Sequence, residues 1–573
     1  MKAKNIAKLF SLLGITLAIN LLAASCNGII AKKAESINKP NNPSSDYGVD
    51  NNANDSLTNA KNQLNSLLSN KDNNINMYAD YSVIKSELQS AYTSAKSLIN
   101  ASDLTTEKLQ EAKTKLQQAI TKAQTDKTNF NNDHQTLVSA YNALKNTLNN
   151  KESVINQFSD PKYSGAKEYL NGLYDSAKEV IKKTLQPATG LDENQINQTN
   201  QRILDASSAD KITIIKANVD SYVDGKLFEI TADRFIGDFA KTQVPTGKQD
   251  FTDLLIGYSA AISNDWKYAK RKIRDDSSDS NITNVAWIYN LSAQNSKTAS
   301  YDLEFEYYGG NQATLYFPYK IYMSSQNSGN IGLQYKLNEG EVTDITQITD
   351  ANLADIKIAE IQLTGLKFGT NKISFNAPTG KSNPIIGNMY IATSNSEVAK
   401  SKIYDSLFGI EHDTNNPDAV TVNIVKGYGL ANYNSTNIRK VNGTLEGETA
   451  AKNYYTLTTL GNRINGTHIR YYTFYVNLPE NGNYEISAIY TSAATTGITF
   501  WKDTYDDNMK KLLIASIPQT GNNVFKRFSS STNNSPNSKT LALTKGLNKI
   551  IVSGGTPTTD APDLVNVTFT LKR

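Results

Sequence analysis

The chain has 573 residues, too many for one hydrophobic core, so several domains are expected. A formal net charge of +4 gives no electrostatic ground for nucleic-acid binding, while 39% hydrophobic and 20% charged residues suit folded domains. One cysteine excludes an intramolecular disulfide, and His134, His412 and His468 lie too far apart for metal-ligand spacing, so no metal or cofactor is expected.

Lys2, Lys4 and Lys8 precede an apolar run from Leu9 to Ala24, and the first acidic residue is Glu35. That is a secretory signal pattern. The run ends in Ala24-Ser25-Cys26, so residues 1–25 resemble a bacterial lipoprotein signal. The resemblance implies that the Cys26 thiol takes a diacylglycerol and that Cys26 starts the mature chain. One departure is that Ala23 stands where such signals usually place leucine, and the leucine is Leu22. A transmembrane anchor is the competing reading. The run is shorter than the roughly 20 apolar residues a span needs, and Asn20 interrupts it. Acyl chains would hold the protein by ~0.8 kcal/mol per buried methylene. Residues 26–55, with Pro40, Pro43 and Ser44-Ser45, read as a flexible tether.

From Leu57 the apolar period is helical. Leu57, Ala60, Leu64, Leu67 and Leu68 form one stripe, with Ser56 placed to cap it. Tyr81, Ile84, Leu88, Tyr92 and Ala95 form a second, and Leu109, Leu116, Ile120 and Ala123 a third. Three amphipathic helices with short joins make a bundle, residues 56–128. The pattern then recurs in a second helical module, residues 129–243. Leu57, Leu64, Leu68 and Tyr78 match Leu137, Leu144, Leu148 and Phe158 at an offset of 80. Leu88 and Tyr92 match Leu170 and Tyr174 at an offset of 82. The third helix of the second copy, around Ile196, Ile203 and Leu204, is weaker, and Ile215, Val219 and Tyr222 indicate a further one. Each copy resembles the three-helix FIVAR-type modules of bacterial surface proteins. The pair reads as a stalk or as a helical domain with no spacing role.

After about Gln243 the runs become strand-like: Thr252 to Tyr258, Val285 to Tyr289, Tyr301 to Tyr307, Thr314 to Phe317 and Ile356 to Leu363. This half also repeats. Gly369, Asn371, Lys372 and Ile373 match Gly546, Asn548, Lys549 and Ile550 at an offset of 177, and Tyr301 to Phe305 parallels Tyr484 to Ala488 at 183. Two β-units follow, 244–400 and 415–573, joined by a polar segment, Ser396 to Pro417. The order of signals resembles jelly-roll carbohydrate-binding modules. The expected fold class is therefore multidomain α+β, with helical-bundle repeats followed by two β-sandwich units.

Taken together, the chain resembles the variable lipoprotein haemagglutinins of mycoplasmas. The resemblance rests on Ala23-Ala24-Ser25-Cys26, Gln135-Thr136-Leu137-Val138-Ser139-Ala140-Tyr141-Asn142, Lys162-Tyr163-Ser164-Gly165, Leu170-Asn171-Gly172-Leu173-Tyr174-Asp175 and Leu315-Tyr316-Phe317-Pro318-Tyr319-Lys320. It implies a lipid-anchored protein on the outer face of the cell membrane. That protein would be antigenically variable, would agglutinate red cells, and would bind host glycoproteins or glycolipids, sialylated ones included. Some relatives carry a long proline-rich repeat after the lipid cysteine, which here shrinks to Lys39-Pro40-Asn41-Asn42-Pro43.

Enzyme motifs are missing from the sequence: HExxH, GxSxG, the P-loop and a dinucleotide fingerprint are all absent. The acidic pairs Asp275-Asp276 and Asp506-Asp507 read as solvated turns, and the run Glu411-His412-Asp413 as an exposed linker, with weak cation binding as the competing reading. No catalytic role is expected. Sugar recognition needs an aromatic face and polar groups for hydroxyls. Trp501, Lys502 and Tyr505 supply these in one loop, with Tyr316 and Tyr319 as the first unit's counterpart. Asn388 and Asn566 stand before the last strand of each unit, where related carbohydrate-binding modules place a sugar-contacting group. Lys502 or Arg527 would meet an acidic sugar's carboxylate. The competing reading makes these aromatics strand-end core residues. Two functions stay open: a glycan-binding adhesin, or an immune-evasion antigen whose sugar affinity is incidental.

Overall fold

The computed structural model describes residues 51–241, 266–276, 282–432 and 436–573, except 296, 323–324, 327–328, 349–352, 465–467 and 537. The signal segment, Cys26, most of the tether and the expected strand Thr252 to Tyr258 lie outside the described residues.

The helical repeats form as their stripes dictate. The first copy gives helices Asn51–Ser69, Ser82–Ile99 and Thr106–Asp133, and the second gives Gln135–Asn149, Ser164–Lys182 and Glu193–Ser207. Matched positions are buried alike: Leu64 with Leu144, Leu88 with Leu170, and Tyr92 with Tyr174. The first helix begins at Asn51, inside the expected tether and ahead of the expected cap Ser56. Ser208 caps a further helix, Ala209–Val223, by accepting from the Lys211 amide.

The chain divides into two compact units. One joins Ala91–Gln118 to the residues up to Lys71, and the other joins Asp72–Ser90 to Ala119–Arg573. In the first, Lys113 Nζ donates to Gln63 Oε1 at 2.7 Å beside the buried Leu64, Tyr92, Leu109 and Leu116. In the second, the helical repeat is fixed to β-structure. Tyr169 stacks on Phe368 at 3.8 Å and 7°, and Asn218 Nδ2 and the Tyr222 hydroxyl both donate to the Glu306 carbonyl at 2.8 Å. Tyr222 itself belongs to the core of the first sandwich.

The two β-halves are sandwiches. Among the described residues, the first packs a seven-stranded sheet on a five-stranded one, and the second a nine-stranded sheet on a five-stranded one. The repeated Gly-x-Asn turn does the same work in both. Gly369 and Gly546 take φ of 116° and 86°, a region open to glycine. Asn371 Nδ2 then donates to the carbonyls of Lys367 and Gly369, and Asn548 Nδ2 to those of Thr544 and Gly546. The match at an offset of 183 does not survive. Strand Gly369–Asn376 pairs with Ala299–Tyr307, whereas Gly546–Gly554 pairs with Tyr472–Leu478 and Thr496–Lys502. The true counterpart of Ala299–Tyr307 is Tyr472–Leu478, and that of Gln312–Lys320 is the Tyr484 strand, Gly482–Thr491. An alternating pattern fixes a strand's faces but not its sheet.

The expected polar join is a helix, Glu397–Phe408, capped by Ser396 and ended by Gly409 in the left-handed region. Its Ile403, Leu407 and Phe408 enter one core cluster shared by both sandwiches. The seam carries a buried charge. Arg271 Nη1 donates to the carbonyls of Ile424, Val425 and Gly427 at 3.1, 2.8 and 2.8 Å. Tyr428 bridges the same seam, receiving the Asn388 amide at 2.7 Å and donating to the Ala286 carbonyl at 2.8 Å. Asp275 and Asp276, expected as a solvated turn, pair across it with Arg439 and Lys440 at 2.6 and 3.0 Å. The Asp276 side chain is 2% exposed, so this pair is structural. Glu411 and His412 pair with Lys426 and Asp405 at 2.9 Å each, and Asp413 accepts the Asn415 amide.

Candidate functional site

The site is built on the five-stranded sheet of the second sandwich. Residues directly paired across neighbouring strands share a face. Thr473 pairs with Ile551, Ile551 with Trp501, and Trp501 with Lys511, which makes one row. The adjacent row holds Phe474, Ile550 and Lys502, with Phe474 and Ile550 in the sandwich core. Trp501 is therefore on the outer face, and Lys502 stands on the opposite one. The two were expected to act together; period-2 alternation separates them.

Above the outer row lies a cluster of three rings. Trp501 and Tyr505 have centroids 4.8 Å apart at 49°, and Tyr505 lies on Tyr471 at 4.9 Å and 14°. Tyr471 was missed by sequence reasoning, although its place next to Tyr472 at the start of a strand puts it on the Thr473 face. Trp501 is 6% exposed, so its indole is the floor of the patch and the two tyrosines are its surface. Burial pushes both tyrosine hydroxyls above their usual range; Asp506 adds to the effect on Tyr505 and Arg463 opposes it. With that exposed Arg463 and with Asp503, paired to Lys510 at 3.8 Å, the surroundings carry both signs of charge.

The other expected site residues lie elsewhere. Arg527 is exposed on strand Val524–Ser529 of the nine-stranded sheet, opposite Ile489. Asn566 accepts the Ile489 amide at 3.1 Å on that same sheet. Asn388 is 1% exposed: its Oδ1 accepts from the Ile230 amide and its Nδ2 donates to the Asn284 carbonyl. Both asparagines thus brace backbone. Tyr316 is fully buried in the shared core, and Tyr319 in the first sandwich donates to the Gln347 carbonyl at 3.0 Å. They are not the counterparts of the Trp501 strand. Topology gives that place to Gln334–Leu337, beside a cleft of about 330 Å³ lined by Tyr335, Asn338, Glu341, Thr343 and Lys367.

A helical repeat leading into fused β-sandwiches, one of which bears an aromatic surface patch, is the build of a modular binding protein. The sequence profile of the mycoplasma haemagglutinin family matches residues 239–352 and 344–572, and the chain belongs to that family. The FIVAR domain profile matches residues 60–124 and 140–210, the two helical copies. No curated protein matches. Among solved structures, a family 35 carbohydrate binding module from Clostridium thermocellum is 17% identical over 20% of this chain and 78% of its own, with a TM-score of 0.16. A carbohydrate binding module of the Cellvibrio mixtus lichenase 5A is 15% identical over 24% and 88%, with a TM-score of 0.17. An Arthrobacter globiformis isomalto-dextranase is 11% identical over 50% and 34%, with a TM-score of 0.20. Likenesses of this strength leave the function to be argued from the chain's own residues. Among the described residues, no helix is long and apolar enough to cross a membrane.

Proposed function

We propose that the chain is a lipid-anchored, antigenically variable adhesin on the outer face of the cell membrane, which binds host glycoproteins or glycolipids, sialylated ones among them. The observation that carries this reading is the cluster of Trp501, Tyr505 and Tyr471 on an outer sheet face. An aromatic face on a sheet surface offers an apolar plane to the C–H face of a sugar, with polar groups beside it for the hydroxyls. Membership of a haemagglutinin family supports a role in binding cells. The lipoprotein pattern ending at Cys26 supports attachment by lipid. A glycan array probed with residues 27–573, clustered on beads, tests the reading. Binding to a coherent set of glycans is the expected result, and a blank array at all densities would overturn it.

A further inference from the structure

The floor of the aromatic patch has two polar groups with nothing to bind. The indole Nε1 of Trp501 and the hydroxyl of Thr473 are buried and lack hydrogen-bond partners. Both stand on one row of the outer face, with Ile551 between them. Folded chains leave few such groups, because an unmade bond at a buried atom is costly. Against the indole leans the ring of Tyr505, a disc of about the size of a sugar ring, tilted by 49° with its centroid 4.8 Å away.

The loop that carries Tyr505 is lightly held. Asp503 and Asp506 both sit at φ of 65°, the left-handed turn region that aspartate enters more readily than most other non-glycine residues. The Lys502 amide donates to the Lys510 carbonyl and the Asp503 amide to that of Lys549, closing the loop at its base. Beyond Asp503, the hydrogen bonds of the described loop run within the loop and its stems: Thr504 to Lys502, Lys510 and Met509 to Asp507, and Lys511 to Asn508. Met509 at the tip is 91% exposed.

We propose that Tyr505 is a built-in stand-in for the ligand. It covers the Trp501 face until a sugar displaces it, and the sugar then bonds to the indole N–H and the Thr473 hydroxyl. The two orphan groups and Ile551 between them carry no charge, so the ring that docks on them is a neutral pyranose; Lys511, next in the row beyond Trp501 and bonded to Asn508, is left for an acidic sugar on the same glycan. This rests on the glycan-binding reading above and adds a closed state to it. A ligand that must first open a closed site binds more weakly by the open fraction.

The test is calorimetric titration of lactose and sialyllactose into the full chain, with Tyr505→Ala, Tyr505→Phe and Trp501→Ala variants checked for folding by circular dichroism. Tyr505→Ala should bind lactose roughly tenfold tighter or more, as expected when nine chains in ten are closed. Tyr505→Phe keeps the covering ring and should match the wild type, and Trp501→Ala should not bind. Loss of binding in Tyr505→Ala, with the wild type still binding, makes Tyr505 part of the site and overturns the stand-in while the glycan reading stands. Binding of sialyllactose but not lactose overturns the neutral pyranose. No binding by any chain, the wild type included, is a failure of the glycan reading itself.

Discussion

Arg271 offers the sharpest test of how the two sandwiches are held. Its guanidinium is fully enclosed and meets three backbone carbonyls of the second sandwich at 2.8 to 3.1 Å. Replacing it by methionine keeps most of the volume and removes the donors. Hydrogen bonds to a charged group are each worth about 1.5–3 kcal/mol net, but one nitrogen shared by three acceptors counts as one or two of them. The stranded carbonyls add a desolvation cost, and relief of the buried charge offsets part of it. Together these terms leave a net cost of about 3–5 kcal/mol. At the low end of the roughly 2–4 °C per kcal/mol seen for sizeable domains, the β-body should melt about 6–10 °C lower. Calorimetry on the full chain measures this, and the lowered transition should broaden or split as the seam loosens. A shift of less than about 2 °C would refute the reasoning, because the charge would then be incidental to the seam.

Gly165 touches the backbone of Gly309 and Gly310, and a Cβ there would sit 2.4 Å from the Gly309 carbonyl oxygen. Gly165→Ala should cost about 1–3 kcal/mol and speed hydrogen exchange at the Tyr308 amide, which now donates to Asn218 Oδ1; unchanged exchange would mean that the close approach is not needed. Burial pushes the Asp563 carboxyl up to about 6, helped by Asp560 and opposed by the Thr459 amide and Arg439. The folded state therefore favours the protonated acid, and the stability this gives is complete below pH ~4 and lost as pH rises through 6, about 3 kcal/mol in all. Asp563→Asn should melt higher than the wild type at pH 7, with the gap closing toward pH 4; a gap independent of pH would contradict it. Cys26→Ser should move the protein out of the detergent phase on phase partitioning, and unchanged partitioning would remove the lipid anchor.

What could be read from the sequence was what repeats or alternates. The helical copies were legible because Leu64 and Leu144, or Tyr92 and Tyr174, recur on a 3.6-residue stripe. The turns at Asn371 and Asn548 were legible because glycine and asparagine at fixed spacing leave few backbone options. Sheet membership was not: the Tyr484 strand alternates like the Tyr301 strand, yet it belongs to the opposite kind of sheet. That the join holds a helix was not legible, because the charged residues of Glu397–Phe408 hid the stripe of Ile403 and Leu407. Arg271 gave no sign of burial, since it sits among Lys270, Lys272 and Arg274. At the candidate site, Trp501 and Tyr505 were found by residue type. Alternation alone could have set Lys502 on the other face. That Tyr505 leans on Trp501 and stacks on Tyr471 needed three dimensions.

The most direct measurement of the central claim is haemagglutination by the clustered full chain. One weak site per chain gains ~10²–10⁴-fold in avidity when many copies share a surface. The account predicts that the wild type agglutinates red cells, that Trp501→Ala with its fold intact does not, and that sialidase treatment of the cells lowers the titre. Normal agglutination by Trp501→Ala would contradict the site, and indifference to sialidase would contradict the sialylated receptor.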